Sequence, residues 1–231
     1  MTHPPDHSIF GKVELFQGID ADTLDEVLRG AARRRFAKGV SVFEQGEPGK
    51  ACHVLIDGRL KVSQITPDGQ QVVVHFIGPG EMFGCVPTVI GGDYPGTATA
   101  VTECQALAWE AKTMAGLMER HPRIALNALA TVGRRFHALQ ARYRELATER
   151  VERRIARAIL RLARQAGRRV ENGVLIDFPL SRQDIAEMTG ATLHTVSRIL
   201  SAWEQQGLVE SGRQRITIRR PHGLVSIAED L

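Results

Sequence analysis

Ser181-Arg182-Gln183-Asp184-Ile185-Ala186-Glu187-Met188-Thr189-Gly190-Ala191-Thr192-Leu193-His194-Thr195-Val196-Ser197-Arg198-Ile199-Leu200-Ser201-Ala202-Trp203 is the stretch that decides the architecture. Ser181 with Asp184 three residues on has the form of a capping box, so a short helix is expected over 182–188 with Ile185, Ala186 and Met188 turned inward. Gly190 suits a tight turn. Thr192 then caps a second helix that runs to about Gly207 and buries Val196, Ile199, Leu200 and Trp203. A small residue at 186, glycine at 190 and an apolar residue at 196 have the spacing of a helix-turn-helix, because the two helices cross closely at Ala186 and the turn needs a residue free of Cβ strain. Downstream, 209–211, a Gly212-Arg213 turn and 216–218 read as a two-stranded wing.

The outward face of the second helix carries Leu193, His194, Ser197 and Arg198. Side chains near its N-terminus reach base edges when such a helix enters a major groove, and Arg198 fits a bidentate contact to guanine O6 and N7, with a phosphate clamp as the plainer alternative. Thr192, Thr195 and Ser197 suit phosphate or base contacts. Ser181, Arg182, Arg213 and Arg215 suit phosphate contacts that set register. Charge points the same way: residues 148–231 hold 14 Arg, no Lys and 10 acidic residues, whereas the remaining 147 balance at 16 against 16, so the whole net charge of +4 sits in the C-terminal part. A basic surface on one domain beside a neutral one is the footprint of a phosphate partner, here double-stranded DNA.

Upstream, residues 122–147 read as one helix starting at Pro122, where the missing N–H costs nothing. Ala125, Leu129, Val132, Phe136, Leu139, Tyr143 and Leu146 fall on a single stripe at steps of three and four, a heptad seam that asks for a partner helix of the same kind. Arg123, Arg134, Arg135, Arg142, Arg144 and Glu145 lie on the other faces and suit water. Two copies joined at Leu129, Val132, Phe136, Leu139, Tyr143 and Leu146 would set their recognition helices about 34 Å apart, one turn of DNA, on a palindromic site. At Thr148 the seam ends, and Arg150, Arg153 and Arg154 mark a hinge before an amphipathic helix over 152–166, closed by Gly167, and a strand over 174–178.

From Arg33 to about Ala108 the pattern changes to short strands, 41–43, 53–56, 60–65, 72–77 and 97–108, separated by glycine-bearing turns such as Asp57-Gly58 and Asp68-Gly69. Regular spacing of this kind is the mark of an antiparallel barrel or jelly roll. Short helices are expected over 22–30, capped by Asp20 or Asp22, and over 114–119. The reading is therefore an α+β chain in three parts: a roll over 1–121, a dimerisation helix over 122–147 and a winged helix-turn-helix over 148–231. Its 231 residues suffice for two cores. There is no apolar run long enough to span a membrane and no signal-peptide pattern in 1–9, which gives the expectation of a cytoplasmic protein without membrane contact. Cys52, Cys85 and Cys104 are odd in number, widely spaced and without a C-x-x-C pair, so no disulfide framework is expected. No metal-ligand cluster, nucleophile elbow or phosphate loop is present, and no enzyme activity is expected. A regulator controlled only by its own abundance is the alternative that sequence does not separate from a ligand-responsive one.

Phe43-x-x-Gly46-Glu47, Gly58-x-x-Lys61-Val62, Pro79-Gly80-Glu81-Met82-Phe83-Gly84 and Arg182-x-x-Ile185-Ala186 through Thr195-Val196-Ser197-Arg198 together resemble the cyclic-AMP receptor protein / fumarate-nitrate reduction regulator (CRP/FNR) family of bacterial transcription factors, from about Leu15 to Leu224. The resemblance implies a cyclic-nucleotide-binding-like β-roll, a long dimer helix, and a winged helix-turn-helix that recruits or blocks RNA polymerase. It also places an effector pocket near Met82, Phe83, Gly84, Cys85, Thr97, Leu139 and Tyr143. Members that bind cyclic AMP carry Gly-Glu and, further on, Arg-Ser/Thr-Ala, with the Glu on the ribose and the Arg on the phosphate. Here Gly84 is followed by Cys85, and Thr97-Ala98 is preceded by Gly96. A buried cyclic phosphate would lack its counter-charge, so no cyclic AMP binding is expected. The iron–sulfur members use an N-terminal cysteine cluster, and no cysteine precedes Cys52, which argues against that cofactor. Residues 91–98, with Pro95, are similar to the branch that responds to nitrogen oxides, and 80–85 to the carbon-monoxide sensors that hold haem, without their Cys-x-His pair. Haem stays open as a cofactor, with Cys85, His53, His75 and His3 as loose ligand candidates whose plain reading is a packed Cys or a surface His. Redox sensing through Cys52 or Cys85 is open as well. Many relatives have Glu where this chain has His194, so a half-site near TTGA-N6-TCAA is expected with its base at that position unsettled.

Overall fold

The computed structural model describes residues 13–229; His3 lies outside them. They form two compact units, residues up to 65 with 75–138, and residues 66–74 with 139 onward.

In the first unit a 3₁₀ turn (Glu14–Phe16) and helix α1 (Ala21–Arg29) precede the strands. Asp20, not Asp22, caps α1: its carboxylate accepts from Thr23 N at 2.7 Å, a bond that holds the carboxyl below its ordinary range. β1 (Ala32–Phe36), β3 (Ala51–Asp57), β6 (Met82–Phe83) and β8 (Cys104–Glu110) make one sheet in the order β1-β8-β3-β6. β2 (Ser41–Phe43), β4 (Leu60–Ile65), β7 (Thr97–Ala100) and β5 (Gln71–Ile77), of which residues 75–77 belong to this unit, make a second in the order β2-β7-β4-β5. The period of two sorts the side chains. Leu55, Leu60, Ile77, Phe83, Ala98 and Ala106 pack together as one core. Val54, Leu107 and Trp109 belong to another with Leu24, Val27, Met114, Leu117 and Ile124, which covers α1 and α3 (Ala111–Arg120). Trp109 Nε1 closes that layer by donating to the Val27 carbonyl at 2.8 Å.

Several features depart from the sequence pattern. The expected strand 97–108 is two strands broken by a bend. β1 escapes the pattern because an exposed edge strand, Ala-Arg-Arg-Arg-Phe, shows no apolar alternation. Helix α2 (Cys85–Ile90) escapes it because six residues with a proline and two valines carry no helical period. The cysteines also differ from expectation. Cys52 and Cys85 are joined by a disulfide, their Cα atoms 4.2 Å apart. Sequence spacing of 33 hides the pair; the β3–β6 ladder, which sets His53 opposite Phe83, carries Cys85 back beside Cys52. Cys104 is free and buried, and burial pushes its thiol up.

Helix α4 (Pro122–Thr148) is one continuous helix, as its seam requires. Its polar residues do not all face water. Arg134 pairs with Glu14. Arg135 donates to the Met82 carbonyl at 2.6 Å, and Arg142 donates to the Val74 carbonyl. Met82 and Val74 belong to edge strands, β6 and β5, whose outer carbonyls have no ladder partner and attract long cationic side chains. Desolvation by burial lowers both guanidinium pKa values.

The second unit holds α5 (Val151–Ala166), the hairpin β9 (Gly167–Val170) and β10 (Gly173–Ile176), helices α6 (Arg182–Thr189) and α7 (Leu193–Gln205), the wing β11 (Val209–Gly212) and β12 (Arg215–Ile218), and α8 (Pro221–Glu229). The strands form a sheet in the order β11-β12-β10-β9. Ile155, Ile159, Leu162, Ile185, Val196, Leu200, Trp203 and Leu224 are buried.

Candidate nucleic-acid interface

The turn between α6 and α7 is built as its residues dictate. Ser181 Oγ accepts from Asp184 N at 3.0 Å, and Asp184 Oδ2 accepts from Ser181 N at 2.9 Å, the full capping box. Gly190 closes α6 with φ +61°, where a side chain is strained, and its amide bonds back to the Ala186 carbonyl. Thr192 Oγ1 accepts from Thr195 N at 3.1 Å and starts α7. Val196, Ile199, Leu200 and Trp203 all face inward, so the helical phase sets Leu193, His194 and Arg198 outward, and these three are exposed. Thr195 and Ser197 are half-buried on the flank.

The residues expected at phosphates divide into two groups. Arg213 and Arg215 are exposed on the wing, which turns at Arg213-Gln214 rather than Gly212-Arg213, with Gln214 at φ +58°. With Arg198 they have no ion-pair or hydrogen-bond partner among the described residues. Ser181 and Arg182 are engaged internally. The Ser181 hydroxyl is spent in its cap, and Arg182 Nη2 donates to Ser211 Oγ at 2.9 Å with Glu204 at 3.8 Å. The Thr192 and Thr195 hydroxyls face each other at 2.9 Å.

Much of the arginine excess is likewise structural. Glu145 at the end of α4 takes Arg161 at 2.8 Å and Arg157 at 3.7 Å, and Glu149 takes Arg153 at 2.6 Å and Arg157 at 3.4 Å. Arg154 donates to the Glu149 carbonyl at 3.2 Å and, through Nε, to the Thr189 carbonyl at 3.1 Å. These arginines clamp the junction of α4 and α5. In sequence they read as a solvated face, because nothing local shows that free helix-end carbonyls and two glutamates stand opposite them.

Comparison with known proteins agrees with this arrangement. The cyclic nucleotide-binding domain family matches residues 33–121, and the Crp-like helix-turn-helix domain family matches residues 153–227. The chain is 30% identical over 193 residues to the nitrogen fixation regulation protein FixK of Rhizobium meliloti, covering 83% of this chain and 85% of that protein. It is 29% identical over 214 residues to the cyclic AMP receptor protein of Thermus thermophilus, covering 93% and 96%. A solved CRP family transcriptional regulator from Thermus thermophilus superposes with a TM-score of 0.72 at 27% identity, over 85% of this chain and 96% of that one. The chain belongs to the CRP/FNR family of transcription factors. No helix among the described residues is long and apolar enough to cross a membrane.

The positions expected to line an effector pocket divide by burial. Met82, Phe83 and Cys85 are buried in the packed cores, with Cys85 bonded to Cys52. Gly84 takes φ +71°. A Cβ on Gly96 would stand 2.7 Å from the Ser63 carbonyl oxygen, so any side chain there would require the backbone to shift. Thr97 Oγ1 donates to the Glu44 carboxylate at 2.9 Å and accepts from Gln45 N at 3.0 Å, an anionic surrounding hostile to a phosphate. Leu139 and Tyr143 are exposed on α4. Of the haem-ligand candidates within the described residues, Cys85 is in the disulfide and His75 bonds Glu81 at 2.9 Å. His53 is not a surface histidine; it is buried, stacked on Phe83 at 4.9 Å.

Proposed function

We propose that this protein is a homodimeric, sequence-specific DNA-binding regulator that reads a palindromic site with α7 and whose roll answers to a small molecule, gas or redox signal other than cyclic AMP. The observation that carries the reading is the exposed Arg198, unpaired among the described residues and one helical turn from His194 on α7, a helix capped by Thr192 and set behind the boxed helix α6 and the Gly190 turn. Two copies of the chain pair through α4, whose seam residues Leu129, Val132, Phe136, Leu139, Tyr143 and Leu146 are between 37% and 73% exposed, an apolar stripe that water alone does not suit. Arg198 reads a base edge, His194 tunes the neighbouring base, and Leu193, Thr195 and Ser197 complete the face. Arg213 and Arg215 contact phosphate. RNA polymerase is recruited or blocked by the bound dimer, and a signal in the roll changes how the α4 helices pair between Leu139 and Leu146, which the junction at Thr148 passes to the recognition helices. The work is done in the cytoplasm and involves no turnover. Against cyclic AMP stand the closed Gly96 backbone and the Glu44 carboxylate on Thr97.

Footprinting and a shift assay with a TTGA-N6-TCAA duplex test the DNA reading; binding should be salt-dependent and symmetric, and a footprint without two-fold symmetry overturns it. Calorimetric titration with cyclic AMP and cyclic GMP tests the other half, and micromolar affinity for either overturns it.

A further inference from the structure

The first unit contains a cleft of about 690 Å³ that none of the expected effector positions lines. One wall is the stacked pair Phe43 and Tyr94, ring centroids 3.8 Å apart and 11° from parallel. That wall is rigid: Tyr94 Oη accepts from Ala51 N at 3.0 Å and donates to the Ala51 carbonyl at 2.9 Å. His53 lines the floor, 6% exposed, and its Nδ1 is buried without a hydrogen-bond partner. Burial pushes the imidazole down to about 4, against a backbone hydrogen bond at Ala51 and with help from the charge of Arg34, so the floor is uncharged at neutral pH. Arg34 and Lys50 also line the cleft, and neither side chain has an ion-pair or hydrogen-bond partner among the described residues. A flat aromatic wall, a neutral floor and two uncommitted cations together select a planar ring that bears a negative charge. Glu47 and Glu110 line the cleft too, so a second negative charge would be repelled.

The floor of the cleft leads to the long helix by two packed steps. His53 stacks on Phe83, its partner across the β3–β6 ladder, and the next residue back, Met82, offers the carbonyl that Arg135 of α4 holds at 2.6 Å. We propose that this cleft is an effector site for a small aromatic monocarboxylate, bound with its ring against Phe43 and Tyr94 and its carboxylate on Arg34, and that its occupation is passed through Phe83 and Met82 to Arg135. The proposal rests on the reading of the roll as the sensor of a DNA-binding regulator, and its test separates the two.

Calorimetric titration of the full chain with 2-naphthoate should give one site per protomer with Kd below about 1 mM, and neutral 2-naphthamide should bind at least about tenfold more weakly. Arg34→Gln should erase that preference. Ala32→Trp, on an exposed edge strand that lines the cleft, should fill it and abolish binding, with the thermal midpoint of both variants kept. No saturable heat with 2-naphthoate, or binding untouched by both substitutions, overturns the site. The second readout is DNA affinity, which should shift at least about threefold with saturating 2-naphthoate in the native chain and not in Arg135→Gln. Ligand binding with unchanged DNA affinity overturns the effector role while leaving the site. Absence of DNA binding under every condition counts against the regulator reading and not against the cleft.

Discussion

Arg182 Nη2 donates to Ser211 Oγ at 2.9 Å, and Ser211 in turn donates from N and Oγ to Glu204 Oε1 at 2.7 and 2.6 Å, so the start of α6, the end of α7 and the wing are held by one polar knot. An arginine at this place reads in sequence as a phosphate contact, and the two roles have different signatures. Removing a structural hydrogen bond of a charged group costs about 1.5–3 kcal/mol of stability. Removing a phosphate contact lowers the slope of log K against log salt by about 0.9. Arg182→Met should lower the thermal midpoint by several degrees and leave the salt slope of DNA binding unchanged.

Arg213→Gln and Arg215→Gln should do the opposite. Both side chains are exposed and unpaired among the described residues. Each substitution should leave the thermal midpoint in place and take about one ion from the salt slope per half-site. Equal slopes in mutant and native protein would mean that the wing stands off the backbone.

Arg198→Ala should cost about 1–3 kcal/mol per half-site and relax base preference at a single position, measured by binding to a set of duplexes with one pair changed. A uniform loss over all duplexes would make Arg198 a phosphate clamp. His194→Glu should move the preference at the neighbouring pair toward cytosine, whose N4 donates to a carboxylate.

The apolar stripe on α4 gives an assembly prediction. Phe136→Glu is at a residue 57% exposed in the single chain, so it should leave the protomer folded. In a dimer it buries a charge without a partner, and sedimentation should show a monomer with DNA affinity down by at least about tenfold. A dimer that survives this change together with Leu139→Glu would place the interface elsewhere.

His53 gives a pH dependence whose sign is fixed. Burial lowers its pKa from 6.5 to about 4. The folded state keeps the ring neutral where the unfolded chain protonates, so this contribution is complete above about pH 6.5 and is lost as pH falls toward about 4, on the order of 3 kcal/mol in all. His53→Phe keeps an aromatic ring on Phe83 and should flatten the difference in urea midpoint between pH 7 and pH 4.5 relative to native protein. An unchanged pH dependence would show that His53 is hydrated in solution.

Most of the C-terminal architecture is legible in the sequence, because its determinants are local. A capping box spans three residues, the turn needs glycine at 190, and a helix of period 3.6 shows its buried face as Val196, Ile199, Leu200 and Trp203 within one window. The seam of α4 is readable for the same reason, since its residues recur every three or four positions. The strands set off by glycine-bearing turns, such as 60–65 between Asp57-Gly58 and Asp68-Gly69, are readable as well. β1 and α2 are not, because an exposed arginine strand and a six-residue helix owe their form to neighbours far along the chain.

Side-chain partnership is what only the tertiary structure decided. Sequence puts arginine where phosphate contacts belong, but whether a guanidinium faces solvent or a carbonyl depends on groups brought in from elsewhere. Arg135 meets Met82, 53 residues back, and Arg154 meets Thr189, 35 residues on, while Arg198 and Arg213 meet no such partner among the described residues. Cys52 meets Cys85 only through the β3–β6 ladder, and the cleft around His53 is assembled from pieces of chain as distant as residues 30 and 113. Periodicity records which face of an element is buried; it does not record what lies against that face, because hydrogen bonds and ion pairs form between elements whose separation in sequence carries no signal.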